Sequence, residues 1–189
     1  MGSHLVPRLL ARGHVVTCLV RDPARFGHLA DLGARAVAGD LGSTDVIRSA
    51  LAKQDCLIHL ANIYSFWEPD PSIYERVNVQ GTRSLFEVAL EAGLTKVIHV
   101  STCATYGRPN DCPFVEDSEP GRACFSHYAR SKRAADDIAW ELHRTRGLPL
   151  VVIHPAPQSS VRAIRRPLGS WPDWSWNAGC PPCPAPTGS

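Results

Sequence analysis

The 189-residue sequence predicts an α/β fold with a doubly wound parallel sheet. Short runs of β-branched and apolar residues, which are typical of buried strands, alternate with longer segments whose apolar residues recur at helical spacing. Glycines follow several of the helical segments, where helices commonly end. A parallel sheet needs this alternation, because a helical crossover must carry the chain back before each new strand can begin.

The first part of the chain is predicted to form three helices and two strands. In order, they are a helix over residues 3–12, a strand over 15–20, a helix over 23–32, a strand over 36–38 and a helix over 44–52. Gly13 and Gly33 follow the first two helices and predict where they end. Ser43 precedes the third helix and is predicted to cap it.

The second part alternates three strands with two long helices. A strand is predicted over residues 56–60, a helix over 73–92, a strand over 96–101, a helix over 126–144 and a strand over 150–154. Gly93 ends the first of these helices, and Pro155 follows the last strand.

Composition and charge are those of a globular domain. Hydrophobic residues make up 44% of the chain and charged residues 20%, so one core can be buried. A net charge of +2 gives no basic field for nucleic acid, and no apolar run reaches membrane length. We find no signal peptide and expect a cytoplasmic protein.

The seven cysteines and the histidines predict no metal site. Cys18, Cys56 and Cys103 lie in or at the ends of predicted strands, where we expect buried free thiols. Cys180 and Cys183 form a Cys-Pro-Pro-Cys pair, but a zinc site needs four ligands and no second pair is near in sequence. Three histidines at strand positions are expected to be hydrogen-bonded core residues: His59, His99 and His154.

The most informative local pattern is Tyr128-Ala-Arg-Ser-Lys132 on the predicted helix over residues 126–144. A spacing of four residues places the two side chains side by side on one helix face. A cation beside a phenol lowers the phenol's pKa from about 10 toward neutrality, which suits proton transfer. The same spacing also arises by chance on solvated helix faces.

A second pattern lies upstream. The predicted strand over residues 96–101 ends in Ser101 and Thr102 and leads into a Tyr106-Gly107 turn. Ligands bind at the carboxyl ends of the strands in open α/β sheets, so these hydroxyls are expected beside a ligand site.

These motifs resemble the extended short-chain dehydrogenase/reductase superfamily, the NAD(P)-dependent epimerases, dehydratases and reductases. In that family a Ser or Thr precedes a stretch ending in Tyr-Gly, and Tyr-x-x-x-Lys follows on the next long helix. Aligned on Tyr106-Gly107, the catalytic hydroxyl falls on Thr102 rather than Ser101. The resemblance implies a Rossmann-like sheet with Thr102, Tyr128 and Lys132 as catalytic residues.

The resemblance runs from Gly2 to about Ala156 and implies a cofactor site built from several segments. The segments at residues 55–62, 78–82 and 113–116 match family motifs in the right order. The first closes a strand beside the cofactor, and the second is the family's Asn-Val-x-Gly-Thr segment. The implied cofactor-binding residues are Gly2, Arg21, Asp40, Leu41, Leu60, Ala61, Asn62, Asn78 and Lys132.

Cofactor choice is predicted from the end of the strand over residues 15–20. NAD-preferring members of the family place an acidic residue there, which binds the ribose 2′-hydroxyl. Val20 fills that position here and Arg21 follows it, which suits a 2′-phosphate. The sequence therefore favours NADP, with NAD as the alternative. Arg21 could instead pair with Asp22 or face solvent.

The family pattern is truncated at both ends. The family opens with a strand and a glycine-rich turn that cradles the pyrophosphate, and Gly2 corresponds to the last glycine of that turn. We therefore expect a sheet that lacks its first, central strand; a start codon placed downstream or a cloning tag would explain the opening. Residues 1–156 are predicted to form a partial NAD(P)-binding domain. Residues 157–189 show no apolar periodicity and are predicted to be a disordered tail.

The resemblance implies an NAD(P)-dependent oxidoreductase or epimerase that transfers hydride at a carbinol or carbonyl carbon of a small-molecule substrate. The aromatic residues of the segment 61–67 are similar to those of dihydroflavonol and steroid reductases, and nucleotide-sugar epimerases are the other large group. The alternative is a catalytically inactive fragment that acts at most as a binding or regulatory remnant. Many relatives pair through the helices that correspond to residues 73–92 and 126–144, so a homodimer is also an expectation.

Overall fold

The structure, a computed structural model, describes residues 1–107, 115–121 and 126–155. The strands are β1 (Thr17–Val20), β2 (Arg35–Ala38), β3 (Cys56–His59), β4 (Lys96–Val100) and β5 (Leu150–Ile153). The α-helices are α1 (Gly2–Leu10), α2 (Gly27–Ala30), α3 (Thr44–Leu51), α4 (Gly81–Glu91) and α5 (His127–Arg146). The alternation of strand and helix confirms the predicted fold class. The tail over 157–189, including Cys180 and Cys183, lies outside the described residues, as do Ala156 and the start of the predicted loop at Pro113.

The strands form two parallel sheets. One has the order β1-β2 and the other the order β3-β4-β5. Within the described residues neither β1 nor β3 pairs with a further strand, so each presents an edge with unpaired backbone groups. This interruption is the one expected when the first strand of a doubly wound sheet is missing from its centre.

Two apolar clusters hold the elements together. The larger lies between the three-stranded sheet and helices α3, α4 and α5, and its most buried members are Phe86, Ala139, Val97 and Leu148. Leu19 of β1 and Leu57 of β3 both pack against this cluster, so it joins the two sheets. The smaller cluster contains Val6, Phe26, Leu29 and Ala34 and packs α1 and α2 with residues of β1.

Several local predictions need correction. The segment 23–32 is a 3₁₀-helix, Pro23–Phe26, followed by the four-residue α2. Asp22 caps the 3₁₀-helix by accepting from the Ala24 amide at 3.1 Å. The hydroxyl of Ser43 does not cap α3; it donates to Asp40 Oδ1 at 3.0 Å. Cys18, Cys56 and Cys103 are free thiols as expected, but Cys56 is exposed and the other two are only half-buried.

The helix predicted over residues 73–92 begins as a π-helix, Tyr74–Gln80, which runs directly into α4. Gly81, the first residue of α4, lies against Leu41 in the chain after β2. A Cβ at this position would lie 2.8 Å from Leu41 Cβ, nearer than two carbon atoms can pack. Gly81 is the glycine of the Asn-Val-x-Gly-Thr segment. The contact with Leu41 explains why this position holds a glycine, since any side chain would overlap Leu41.

Candidate active site

The two hydroxyl residues after β4 point to different partners because the backbone there is extended. Thr102, with φ −160° and ψ 147°, accepts from the Ala104 amide at 3.3 Å and begins the 3₁₀-helix Cys103–Tyr106. Ser101 instead donates to Asp136 Oδ2 at 2.8 Å, where it is buried. Thr102 is therefore the hydroxyl left on the side of Tyr128, which agrees with the predicted alignment.

Helix α5 carries the remaining site residues on its buried face. Ser126 caps the helix by accepting from the Ala129 amide at 3.0 Å, and Gly147, with φ 73°, ends it in the left-handed conformation. Tyr128, Lys132 and a third residue, Asp136, follow one another at intervals of four. They are 5%, 2% and 7% exposed, so the spacing produces a buried stripe rather than a solvated face.

The phenol of Tyr128 is held in its protonated form. Burial raises its pKa to about 12, and the nearby Tyr64 adds to this effect, although a hydrogen bond with Thr102 acts in the opposite direction. The predicted lowering of this pKa by Lys132 is wrong for this arrangement. The Lys132 ammonium group is directed at the Val100 carbonyl, to which Nζ donates at 3.0 Å, rather than at the phenol.

Lys132 is a buried ammonium group with a lowered proton affinity. Burial lowers its pKa to about 8, and the negative charge of Asp136 opposes that fall. The group is thus mainly protonated at neutral pH but is far easier to deprotonate than an exposed lysine.

Asp136 is the centre of a network that the sequence analysis missed. Its Oδ2 accepts from Ser101 and from His154 Nε2 at 3.0 Å, and its Oδ1 accepts from His99 Nε2 at 3.0 Å. Burial by itself raises the pKa of Asp136, but the hydrogen bonds from His154, His99 and Ser101 outweigh it and set the pKa at about 2. Its sequence signal was an acidic residue at the third position of the Tyr-Lys stripe, on an otherwise apolar helix face.

His59 and His99 are hydrogen-bonded core residues as predicted, whereas His154 is hydrogen-bonded but only half-buried. His59 Nε2 lies 2.9 Å from Thr82 Oγ1, and its ring stacks on His99 at a centroid distance of 5.3 Å. Burial lowers the pKa of His59 well below its usual value, and the neighbouring His99 and Lys132 lower it further. Both rings are therefore neutral at pH 7, since burial also lowers the pKa of His99.

Asn78 is buried and connects the segment after β3 to α5. Its Oδ1 accepts from the Ile63 amide at 2.7 Å, and its Nδ2 donates to Ser131 Oγ at 2.9 Å. These bonds hold the backbone at Ile63, next to the aromatic residues Tyr64 and Phe66. The rings of Tyr64 and Phe66 meet the ring of Tyr128 edge-on, at centroid distances of 5.2 and 6.0 Å. Asn78 is thus a brace beside the site in this structure.

Comparison with known proteins decides the family. Residues 1–165 match the NAD dependent epimerase/dehydratase family. The chain belongs to this family. It is 30% identical over 173 residues to a putative dihydroflavonol 4-reductase of Synechocystis, covering 90% of this chain and 47% of the relative. It is 31% identical over 159 residues to a UDP-glucose 4-epimerase of Oryza sativa, covering 72% of this chain and 43% of the relative.

Among solved structures, the chain is similar to a dTDP-glucose 4,6-dehydratase double mutant of Streptomyces venezuelae that has NAD bound. The TM-score is 0.71 at 31% identity, with 80% of this chain and 51% of the other covered. The chain therefore spans about half the length of the relatives it matches. Within the described residues, every helix is too short or too polar to cross a lipid bilayer.

The residues predicted for the adenosine side of a cofactor follow the strands of the two-stranded sheet. Arg21 follows β1 with an exposed side chain, and none of the ion pairs among the described residues includes it. Asp40 uses Oδ1 to accept from the Gly42 amide at 2.9 Å. Leu41 has its side chain in the core, so only its main chain remains available to a ligand.

The residues after β3 fit a dinucleotide of the kind this family uses. Asn62 donates to the Leu60 carbonyl at 3.2 Å, while its Oδ1 is buried without a hydrogen-bond partner among the described residues. Gly2 begins α1 close to Leu60, whose side chain would lie 3.9 Å from a Cβ at Gly2, and Ala61 is exposed next to it. A helix amino terminus beside strand ends suits a phosphate group.

Proposed function

We propose that this chain carries the catalytic half of an NADP(H)-dependent oxidoreductase that acts on a carbonyl or carbinol carbon. The observation that carries the proposal is the placement of the Thr102 hydroxyl beside the Tyr128 phenol, whose pKa it lowers, with Lys132 one helical turn further along α5. The family membership supports the same chemistry.

The roles follow from the chemistry of each group. Tyr128 gives a proton to the substrate oxygen or takes one from it, and Thr102 hydrogen-bonds the same oxygen and orients it. Lys132 binds the ribose hydroxyls of the cofactor. A nicotinamide group, when bound, supplies or accepts the hydride. With its pKa raised to about 12, the Tyr128 phenol is protonated at neutral pH, which is the form that can donate a proton to a carbonyl oxygen.

The aromatic segment after β3 favours a flat, apolar substrate. Tyr64, Phe66 and Trp67 are 67%, 53% and 76% exposed, and the first two contact the Tyr128 ring. Exposed aromatic rings beside a proton donor suit a ring-bearing ketone, and the similarity to a dihydroflavonol 4-reductase supports this choice. A nucleotide sugar is the second candidate, supported by the similarity to UDP-glucose 4-epimerases.

Cofactor binding is the first test. NADPH and NADH are titrated into the full chain and followed by nicotinamide fluorescence. Arg21→Ala should weaken NADPH binding about tenfold, since a charge-assisted hydrogen bond to the 2′-phosphate is lost, and should leave NADH binding unchanged. Arg25→Ala, an exposed arginine four residues away, is the matched control and should change neither. A folded chain that binds neither nucleotide would support the alternative of an inactive remnant.

Turnover is the second test. Tyr128→Phe should keep cofactor binding and lower the rate of ketone reduction about a hundredfold or more, because the proton donor is removed and the ring is retained. Tyr74→Phe, which removes a buried hydroxyl that donates to the Ser65 carbonyl at 3.0 Å, controls for the loss of a phenol. Retained turnover in Tyr128→Phe would contradict the proposal.

The homodimer through α4 and α5 and the cytoplasmic location stay predictions.

A further inference from the structure

Asp136 introduces a full negative charge into the core beneath the proposed active site. Its side chain is 9% exposed. Three donors converge on it: His99 of β4, Ser101 just after β4 and His154 just after β5. A carboxylate accepts hydrogen bonds only, so Nε2 of His99 and of His154 must both carry a proton. Burial lowers the pKa of His99, so its ring is mainly neutral near pH 7 and does little to balance the charge of Asp136 there.

Lys132 is a buried cation on the same helix face, one turn before Asp136. Its own hydrogen bond is to a neutral acceptor, the Val100 carbonyl at 3.0 Å, and none of the ion pairs among the described residues includes it. A buried ammonium group without a nearby anion gives up its proton. Asp136, one helical turn away, is the carboxylate whose charge acts on Lys132.

We propose that Asp136 is a positioning residue for the proposed reaction, which supplies the buried negative charge that keeps Lys132 a cation beside Tyr128. The proposal rests on the role given to Lys132 above. It also assigns separate tasks to the two hydroxyls after β4: Thr102 faces the reacting atoms, and Ser101 holds the carboxylate.

Other titratable groups surround this pair and enter its pH dependence. Those that act on Asp136 or are acted on by it are His99 of β4, Tyr106 of the 3₁₀-helix, His154 after β5, and Tyr128, Lys132 and Asp137 of α5. Those that interact with Lys132 also include His59 of β3. His59 and His99 repel the Lys132 cation only when they are protonated. Near neutral pH they are uncharged, so Asp136 is the main charge that acts on Lys132.

The sequence allows a direct measurement, because it contains only three lysines: Lys53, Lys96 and Lys132. Isotope-labelled lysine in the full chain gives one side-chain NMR signal for each, and Lys53→Arg and Lys96→Arg assign them. Asp136→Asn should lower the titration midpoint of Lys132 by about one unit or more, which is the effect of removing a close opposite charge. The exposed Lys53 and Lys96 should not move.

Matched variants separate charge from structure. Asp137→Asn removes an exposed carboxylate from the neighbouring position of α5 and should leave the Lys132 midpoint within about a few tenths of a unit. Asp136→Glu keeps the charge and should restore most of the wild-type midpoint. Should Asp136→Asn fail to fold, Asp136→Ser removes the same charge and leaves space for a water among the three donors, with the same fall expected.

An unchanged Lys132 midpoint in a folded Asp136→Asn or Asp136→Ser variant would overturn the proposal, as would an equal shift in Asp137→Asn. The result is independent of turnover. If the midpoint falls as expected but the wild-type chain neither binds nucleotide nor reduces ketones, the counter-charge stands and the proposed function fails. If the chain is active, the upper pH limit of its turnover should fall with the midpoint in Asp136→Asn, while substrate KM stays the same.

Discussion

Burial favours the neutral form of Tyr128, Lys132 and Asp136 alike, but the three residues of this stripe end in different charge states. It raises the pKa of the phenol to about 12 and lowers that of the ammonium to about 8, because in both cases it favours the neutral form. For Asp136 it also favours the neutral form, but three donors reverse the result. The stripe therefore holds a proton donor, a cation near its titration point and a fixed anion.

The raised pKa of Tyr128 predicts a loss of stability at high pH. The folded pKa, about 12, lies above the unfolded value near 10, so the phenol's contribution is complete below pH 10 and is lost as the pH rises through 12. Relative to Tyr128→Phe, the wild-type chain should lose about 2–3 kcal/mol of unfolding free energy across this range. Urea denaturation at a series of pH values measures it, and parallel curves for the two proteins would contradict the raised pKa.

Sequence patterns identified which side chains meet better than how they act. The spacing of Tyr128 and Lys132 and the alignment that selected Thr102 were sufficient to bring these residues together, because helix and strand geometry is local. The direction of the Tyr128 pKa depends on desolvation and on Tyr64, which is distant in sequence, and could not be read from spacing. The bonds of Asp136 to His99 and His154 join three separate elements, so only the assembled fold reveals them.

At the scale of elements, the helical segment over residues 74–91 makes close contacts at two successive points. The π-helix Tyr74–Gln80 places Asn78 against Ile63 and Ser131, and the α-helix that follows begins at Gly81 against Leu41. The same helix therefore braces the segment after β3 at one point and packs on the end of the other sheet at the next. The sequence indicated a single long helix here, because the π segment has only seven residues, too few for its wider turn to appear as a separate apolar period.

Gly81→Ala should destabilise the chain by about 1–3 kcal/mol, because the added methyl group overlaps Leu41 and the helix must shift to admit it. Gly27→Ala is the matched control. It also adds a methyl to a helical glycine, but nothing lies within 4 Å of that Cβ, so stability should be unchanged or slightly raised. Urea unfolding of both variants gives the comparison, and equal midpoints would show that the α4 contact yields easily.

At the scale of the whole molecule, the two sheets differ in how well they are buried. β4 pairs with a strand on each side and has three buried residues. In the other sheet, three of the four residues of β2 are exposed, and no residue of β1 is fully buried. The smaller cluster that supports the first sheet has four buried residues against fourteen in the larger one. The interruption between the sheets could be anticipated from the family's strand order, but this inequality could not, since it depends on which helices cover each face.

Unequal burial predicts that the molecule opens in two steps. Amides of β1 and β2 should exchange with solvent through a local opening of lower free energy than those of β3, β4 and β5, because few apolar contacts hold the first sheet. Phe26→Ala, in the smaller cluster, should speed exchange in β1 and β2 and leave β4 unchanged. Phe86→Ala, in the larger cluster that both sheets contact, should speed exchange in all five strands. Native-state hydrogen exchange read by mass spectrometry resolves these segments, and identical protection of β1 and β4 would show that the two sheets instead unfold as one unit.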